Sequence, residues 1–277
     1  MRKLPDFLVC GAMKAGSTSL FHYLNKHPQI SMYKKKEVHF FDDDKNFGKG
    51  IEWYKKHFKS FGSDIINGEI TPGYMLLEKV PPRIKKIIPN VKLIFIVRNP
   101  IERAWSHYQH MVRRGLEDKD FLNALISEKK RIVKNERELR KFSYVERGMY
   151  AKQISRYLEI FNEDQIKILL LEDLRGNILK AMNEIFVFLN VKEIFSEDMF
   201  SSQYNEAKIS KNPVLARRVK KSFLNRIPGF YKVFDKFALK PGKVEIPQKA
   251  REYLQNMFRQ SNEELSIMIN RDLSSWK

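Results

Sequence analysis

The sequence predicts a three-layer α/β/α fold on a central, largely parallel sheet, with a P-loop-like phosphate-binding turn at one strand end. Three observations carry this. The apolar run Phe7-Leu8-Val9-Cys10 enters a glycine turn, Gly11-Ala12-Met13-Lys14-Ala15-Gly16-Ser17-Thr18, and then an amphipathic stretch. Val91–Val97 (VKLIFIV) is a nearly continuous apolar run, the pattern of a strand buried on both faces of a parallel sheet. Strand-like runs alternate with helical patterns along most of the chain, as when parallel strands are joined by helices.

In chain order, Phe7–Cys10 is the first strand, and the helix after it starts near Ser17 and ends by Pro28. Ile30–Met32 and Val38–Phe41 are short extended candidates, and Ile51–Phe61 reads as an aromatic-rich helix. Ile65–Glu69 is a strand, followed by a Thr71-Pro72-Gly73 turn and a short helix around Pro82–Ile88. Beyond Val97, Asn99-Pro100 supplies an N-cap and an N1 proline for a helix reaching about Arg113. Residues 117–145 are charged and read as helical with a mobile loop. Met149–Phe161 is helical, Ile166–Leu171 is a buried strand, and Ile178–Leu189 and Lys249–Ile269 are helices. A single domain over residues 1–277 is expected.

Of 277 residues, 43% are apolar and 12% aromatic, a globular composition rather than a disordered one. The formal charge of +19 narrows the partners to anions: nucleotide, nucleic acid, lipid headgroup or acidic glycan. About half of that excess lies in residues 205–251, where 13 Lys and Arg face three acids. The one cysteine, Cys10, excludes an intramolecular disulfide. No stretch approaches the roughly 20 apolar residues of a membrane span, and the N-terminal run is too short for a secretory signal. A cytoplasmic protein is therefore expected. No Cys/His spacing suggests a metal site.

Three constellations carry chemistry. In the first, backbone N–H groups of the glycine turn and the positive end of the following helix face an anion. A nucleotide triphosphatase loop reads GxxxxGK[ST]. Here Ser17 follows the second glycine and Lys14 sits three residues earlier, which points to a different phosphate-like group. Lys14 would meet charge developing on an oxygen bridging a 5′-phosphate to a transferring group, while Ser17 and Thr18 hold that phosphate. In the second, Arg98 closes the strand Val91–Val97, at the end where open α/β sheets bind ligands, and Ser106 lies about two turns into the next helix. A guanidinium fork with a hydroxyl suits a terminal phosphate. Arg103 reads as a surface or ion-paired side chain. In the third, Glu37-Val38-His39-Phe40-Phe41, an extended backbone would put Glu37 and His39 on one face. They are then two groups on one face able to take a proton, or a carboxylate paired with Lys34–Lys36 beside a packed histidine.

The loop GAMKAGST, the run KKKEVHFFD, the segment VRNPIERAWSHYQH and a later basic loop together resemble the sulfotransferase family. The similarity is nearest the branch holding glycosaminoglycan N- and 3-O-sulfotransferases and their bacterial relatives, and it runs from Phe7 to Trp276. It implies an enzyme whose donor is 3′-phosphoadenosine-5′-phosphosulfate (PAPS), with no metal. Lys14, Ala15, Gly16, Ser17 and Thr18 would hold the 5′-phosphosulfate, Arg98 and Ser106 the 3′-phosphate, and Lys211 would belong to a basic loop, within 205–251, closing over the nucleotide. Glu37 matches the branch's base, with His39 in reserve, and His110 matches an acceptor-side histidine. One departure stands out: Ile70, in Gly68-Glu69-Ile70-Thr71, replaces a lysine of the glycosaminoglycan enzymes. The expected acceptor is a small molecule, glycan or glycolipid, with peripheral contact to an anionic membrane surface and no nucleic acid. Lys232, Lys236 and Lys240, interleaved with Phe230, Phe234 and Phe237, would form a cationic and aromatic helix for it. Two other readings remain: a P-loop kinase or ATPase, and a basic membrane- or nucleic-acid-binding protein.

Overall fold

The computed structural model describes residues 4–59, 62, 64–193, 200, 208–210, 239–241 and 245–276. Its strands are β1 (Phe7–Gly11), β2 (Ile30–Met32), β3 (Ile66–Ile70), β4 (Lys92–Val97), β5 (Ile166–Leu170), β6 (Lys208–Ser210) and β7 (Leu239–Pro241). The first helices are α1 (Ser17–Leu24), α2 (Asp44–Gly48), α3 (Gly50–Lys55), α4 (Val80–Ile87) and α5 (Pro100–Arg113). They are followed by α6 (Phe121–Ile126), α7 (Glu128–Ile132), α8 (Glu136–Phe142), α9 (Tyr150–Leu158), α10 (Leu171–Gly176), α11 (Ile178–Leu189) and α12 (Gln248–Ile269). The chain divides into two compact units.

The first unit, from Met1–Arg98, Tyr150–Tyr204 and Glu263–Asp272, holds a five-stranded sheet in the order β2-β3-β1-β4-β5. Every pairing is parallel, as the apolar runs predict. Leu8 of β1 stands between Glu69 of β3 and Leu93 of β4. Leu93, Ile94, Phe95, Ile96 and Val97 are fully buried, each contributing about 1.5–3 kcal/mol by leaving water. β1 feeds β2 and β3 on one side, while β4 feeds β5 on the other. The carboxyl ends of β1 and β4 are therefore the point of divergence at which such sheets bind ligands. Gly68 lets β1 and β3 lie close, because a Cβ there would collide with the Phe7 ring.

The second unit, from Asn99–Met149, Asn205–Asn262 and Leu273–Lys277, is built on α5. Asn99 caps α5 by accepting the Ile101 N–H at 2.9 Å, and Pro100 opens it, as expected. Ile101, Ala104 and Met111 pack with Phe121, Leu125, Leu254 and Phe258. Residues 117–145 form three short helices, α6 to α8.

Four expectations change. Val38–Phe41 is not a strand: it runs as irregular backbone and turn, with His39 in the left-handed region. Its backbone partners come from side chains and loops rather than from a sheet edge. The helix expected over Ile51–Phe61 stops at Lys55, where the His57 ring meets the Trp53 and Tyr54 carbonyls at 3.1 and 3.0 Å. Arg103 is fully buried rather than at the surface and donates to the Tyr144 carbonyl. Lys240 lies in β7, paired antiparallel with Ile209 of β6, so it does not continue a helix. Lys211, Lys232, Lys236, Phe230, Phe234 and Phe237 lie outside the described residues.

Candidate active site

The turn from β1 into α1 is built by backbone geometry that few residues adopt. Lys14 has φ 71° and Gly16 φ 93°, both left-handed. At Gly16 a side chain is excluded twice, by that φ and because its Cβ would lie 2.6 Å from a Leu171 methyl. Gly16 caps α1 without a side-chain hydrogen bond, and the first turn of the helix carries no acidic residue. The N-terminal N–H groups and dipole of α1 thus have the Ser17 and Thr18 hydroxyls beside them and no carboxylate in the first turn, a setting that favours an anion. Ser17 is buried and Thr18 half-buried. Arg98, just past β4, donates from Nη1 to the Lys14 carbonyl at 3.2 Å, joining the ends of the two central strands.

Against these hydroxyls comes the segment Lys36–Asp42. Lys36 Nζ donates to Thr18 Oγ1 at 2.7 Å and to Ser17 Oγ at 3.5 Å, and lies 3.8 Å from Glu37 Oε1. Glu37 Oε2 is 3.3 Å from His39 Nε2, and His39 Nδ1 donates to the buried Asp42 carboxylate at 3.0 Å. Glu37 and His39 do meet, though by a different route from the one expected. Lys36, Glu37 and His39 all have φ near 54°, and this folded path replaces the alternation of a strand.

The electrostatics of this chain divide the two candidate bases. Asp42, and then Glu37, raise the His39 pKa to about 10, so His39 is an imidazolium at neutral pH. The hydrogen bond from His39, aided by the Lys36 charge, lowers the Glu37 pKa, so Glu37 is a carboxylate. At neutral pH Glu37 is thus the unprotonated member of the pair, with the His39 imidazolium 3.3 Å away as its partner.

A buried carboxylate holds the segment in place. Glu69 of β3 accepts hydrogen bonds from the Tyr54, Thr71 and Tyr74 hydroxyls, the last two at 2.6 and 2.7 Å. Burial pushes its pKa up, while the three hydroxyls oppose that shift. The Tyr74 oxygen also accepts the Phe40 N–H at 3.0 Å, and the Glu37 N–H donates to the Ile70 carbonyl at 2.8 Å. Asp42, Glu69 and Tyr74 are site residues to which sequence reasoning assigned no role, and Lys36 entered only as one of the lysines that could pair with Glu37, a contact present at 3.8 Å. Asp42 had a visible signal, since it ends the run KKKEVHFFD. Ser106 and His110 lie half-buried on α5, in the second unit. Among the described residues no cluster of His, Cys, Asp and Glu is arranged to hold a metal ion.

Fold and site together define an α/β protein that presents an anion cradle beside a carboxylate–imidazolium pair. Residues 4–263 match the sulfotransferase domain family, and the chain belongs to that family of enzymes. It is 34% identical over 200 residues to human heparan sulfate glucosamine 3-O-sulfotransferase 5, covering 71% of this chain and 56% of that one. To mouse bifunctional heparan sulfate N-deacetylase/N-sulfotransferase 4 it is 31% identical, covering 99% of this chain and 31% of the relative. The chain thus spans about half, or less, of the length of these relatives. A solved sulfotransferase from Alicyclobacillus acidocaldarius superposes with a TM-score of 0.71 at 25% identity, over 99% of both chains. Mouse sulfotransferase SULT7A1, complexed with PAP, shares the fold, with a TM-score of 0.56 at 14% identity, over 96% of this chain and 87% of that one.

The expectation of a cytoplasmic protein does not stand. A Dictyostelium discoideum relative, 42% identical over 113 residues (40% of this chain and 24% of the relative), is a membrane-associated sulfotransferase. Among the described residues no helix is long and apolar enough to cross a membrane, which leaves the compartment open.

Proposed function

We propose that the chain transfers the sulfonate of PAPS to a hydroxyl or amine of a saccharide or glycolipid. The observation that carries this reading is the contact chain from Thr18 through Lys36, Glu37 and His39 to Asp42, which sets a proton acceptor beside an anion cradle. The residues present fit the donor: two hydroxyls, the start of α1 without an acidic neighbour, the Lys36 ammonium, and Arg98 tied to the Lys14 carbonyl. Lys14, Ala15, Gly16, Ser17 and Thr18 would hold the 5′-phosphosulfate and Arg98 the 3′-phosphate. When bound, the donor supplies an electrophilic sulfur and a phosphate leaving group.

Glu37 takes the proton of the acceptor as its oxygen or nitrogen bonds to sulfur. Lys14 meets the charge left on the departing phosphate oxygen. His39, held charged by Asp42, keeps the Glu37 carboxylate turned to its task. A glycan acceptor is supported by the heparan sulfate relatives, and the net charge of +19 suits an acidic one.

Calorimetry with adenosine 3′,5′-bisphosphate (PAP), ADP and ATP tests the donor. PAP should bind markedly tighter than either, with or without magnesium. Equal affinity for ATP, or a strict need for magnesium, would move the assignment to a kinase.

A further inference from the structure

We propose that Lys36 is a catalytic residue of this site: its ammonium binds the sulfonate of the donor, between the hydroxyls that hold the phosphate and the carboxylate that takes the proton. The inference rests on the sulfotransferase reading above, in which Lys36 is a contact beside the donor, and gives that ammonium a part in the transfer itself.

Lys36 ends a run of three lysines, yet it differs from its neighbours. Lys34 and Lys35 are exposed, whereas Lys36 is half-buried, with its ammonium 2.7 Å from Thr18 Oγ1. Lys36 and Glu37 have φ of 53° and 54°, a sparsely populated region that persists only where the surroundings impose it. They are imposed here by the Lys36 N–H on the Tyr33 carbonyl at 3.2 Å and the Glu37 N–H on the Ile70 carbonyl at 2.8 Å. An extended backbone would send adjacent side chains to opposite faces. This one sets Lys36 Nζ 3.8 Å from Glu37 Oε1.

The contacts also leave the ammonium able to serve a ligand. A lysine has three N–H donors. The Thr18 contact is short, while those to Ser17 at 3.5 Å and Glu37 at 3.8 Å are long and cheap to exchange for a ligand oxygen. Because Thr18 Oγ1 accepts from Lys36, its own hydrogen stays available to donate to a ligand oxygen. During transfer the acceptor–sulfur bond forms, the sulfur–phosphate oxygen bond breaks, and the acceptor proton passes to Glu37. A carboxylate and a sulfonate must then approach one another. An ammonium between them offsets their repulsion and keeps its own proton throughout.

The test compares the parent with Lys36→Met, Lys36→Gln and Lys36→Arg, by calorimetry with PAP and with PAPS and by sulfonate transfer to a heparan-type glycan. Lys36→Met should weaken PAPS about tenfold and PAP less than about threefold, because PAP lacks the sulfonate. Its kcat should fall about 10- to 100-fold with little change in acceptor KM, and Lys36→Arg should recover most of both losses. Lys36→Gln serves if Lys36→Met does not fold. Equal losses for PAP and PAPS, or parent-like behaviour of Lys36→Met, would overturn the role of Lys36 while leaving the family reading intact. A parent that binds neither PAP nor PAPS would remove the sulfotransferase reading, and the inference with it.

Discussion

Each unit contains a cluster of charged side chains around a carboxylate, and the two clusters are built to opposite ends. In the second unit Glu117 is fully buried and accepts from Arg131 Nη1 and the Tyr144 hydroxyl, both at 2.7 Å. Glu128 beside them accepts the Val145 and Glu146 N–H groups at 2.7 and 2.8 Å, and burial pushes its pKa up to about 7. These acids are enclosed by the groups that satisfy them. In the first unit Glu37 and His39 are about 40% exposed and ride on left-handed backbone beside the cradle of α1. A shifted pKa occurs in both clusters, so it does not mark function by itself. What separates them is access, and adjacency to a place where an anion is stabilised.

That contrast can be broken or sharpened by substitution. The largest effect is expected at the cradle. Lys14→Ala should lower turnover about 100- to 1000-fold, as for loss of one group that stabilises developing charge. PAP affinity should change far less. Turnover equal to the parent would mean that Lys14 has no part in the transfer.

In the buried cluster the effect should fall on stability instead. Arg131→Met leaves the Glu117 carboxylate enclosed without its cation, a loss on the order of 2–4 kcal/mol. The melting temperature should drop while PAP affinity stays within about twofold. A variant that melted with the parent but lost PAP would reverse the assignment of the two clusters.

A smaller effect concerns His39. Its folded pKa, about 10, lies above the usual value near 6.5, so the folded state holds this proton more tightly than the unfolded chain. The stability it contributes is fully present below about pH 6.5 and is lost as pH rises toward 10. Asp42→Asn removes the largest cause of the shift. In a proton NMR titration His39 should then titrate nearer its ordinary value, and the pH dependence of stability in that window should flatten. A His39 titration unchanged by the substitution would exclude Asp42 as the cause.

Much of the fold was legible because its signals are local. The run Val91–Val97, the Asn99-Pro100 start of α5 and the Gly11–Thr18 turn each state their structure within a few residues, and each forms as read. The Lys36–Asp42 segment was not legible in the same way. Val38–Phe41 alternates like a strand, but its path is set by Tyr74, Ile70 and Glu69, about 30 residues away in sequence. Glu37 and His39 were singled out through the resemblance of the run KKKEVHFFD, and the extended geometry expected for them is replaced by a left-handed path that still brings them together. Lys36 was read only within Lys34–Lys36 as a pairing partner of Glu37, and Asp42 only as the end of the run KKKEVHFFD. Arg103 was misjudged because nothing in its neighbours announces that it donates to a carbonyl 41 residues later.

The central claim is that Glu37 takes the acceptor's proton from a position beside a donor cradle that forms without it. The most direct measurement is sulfonate transfer from PAPS to a heparan-type glycan by the parent and by Glu37→Gln, with PAP affinity measured on the same samples. Glu37→Gln should bind PAP within about twofold of the parent while transfer falls by about 100-fold or more, the range for loss of a general base. Transfer at the parental rate, with PAP bound equally well, would contradict the account.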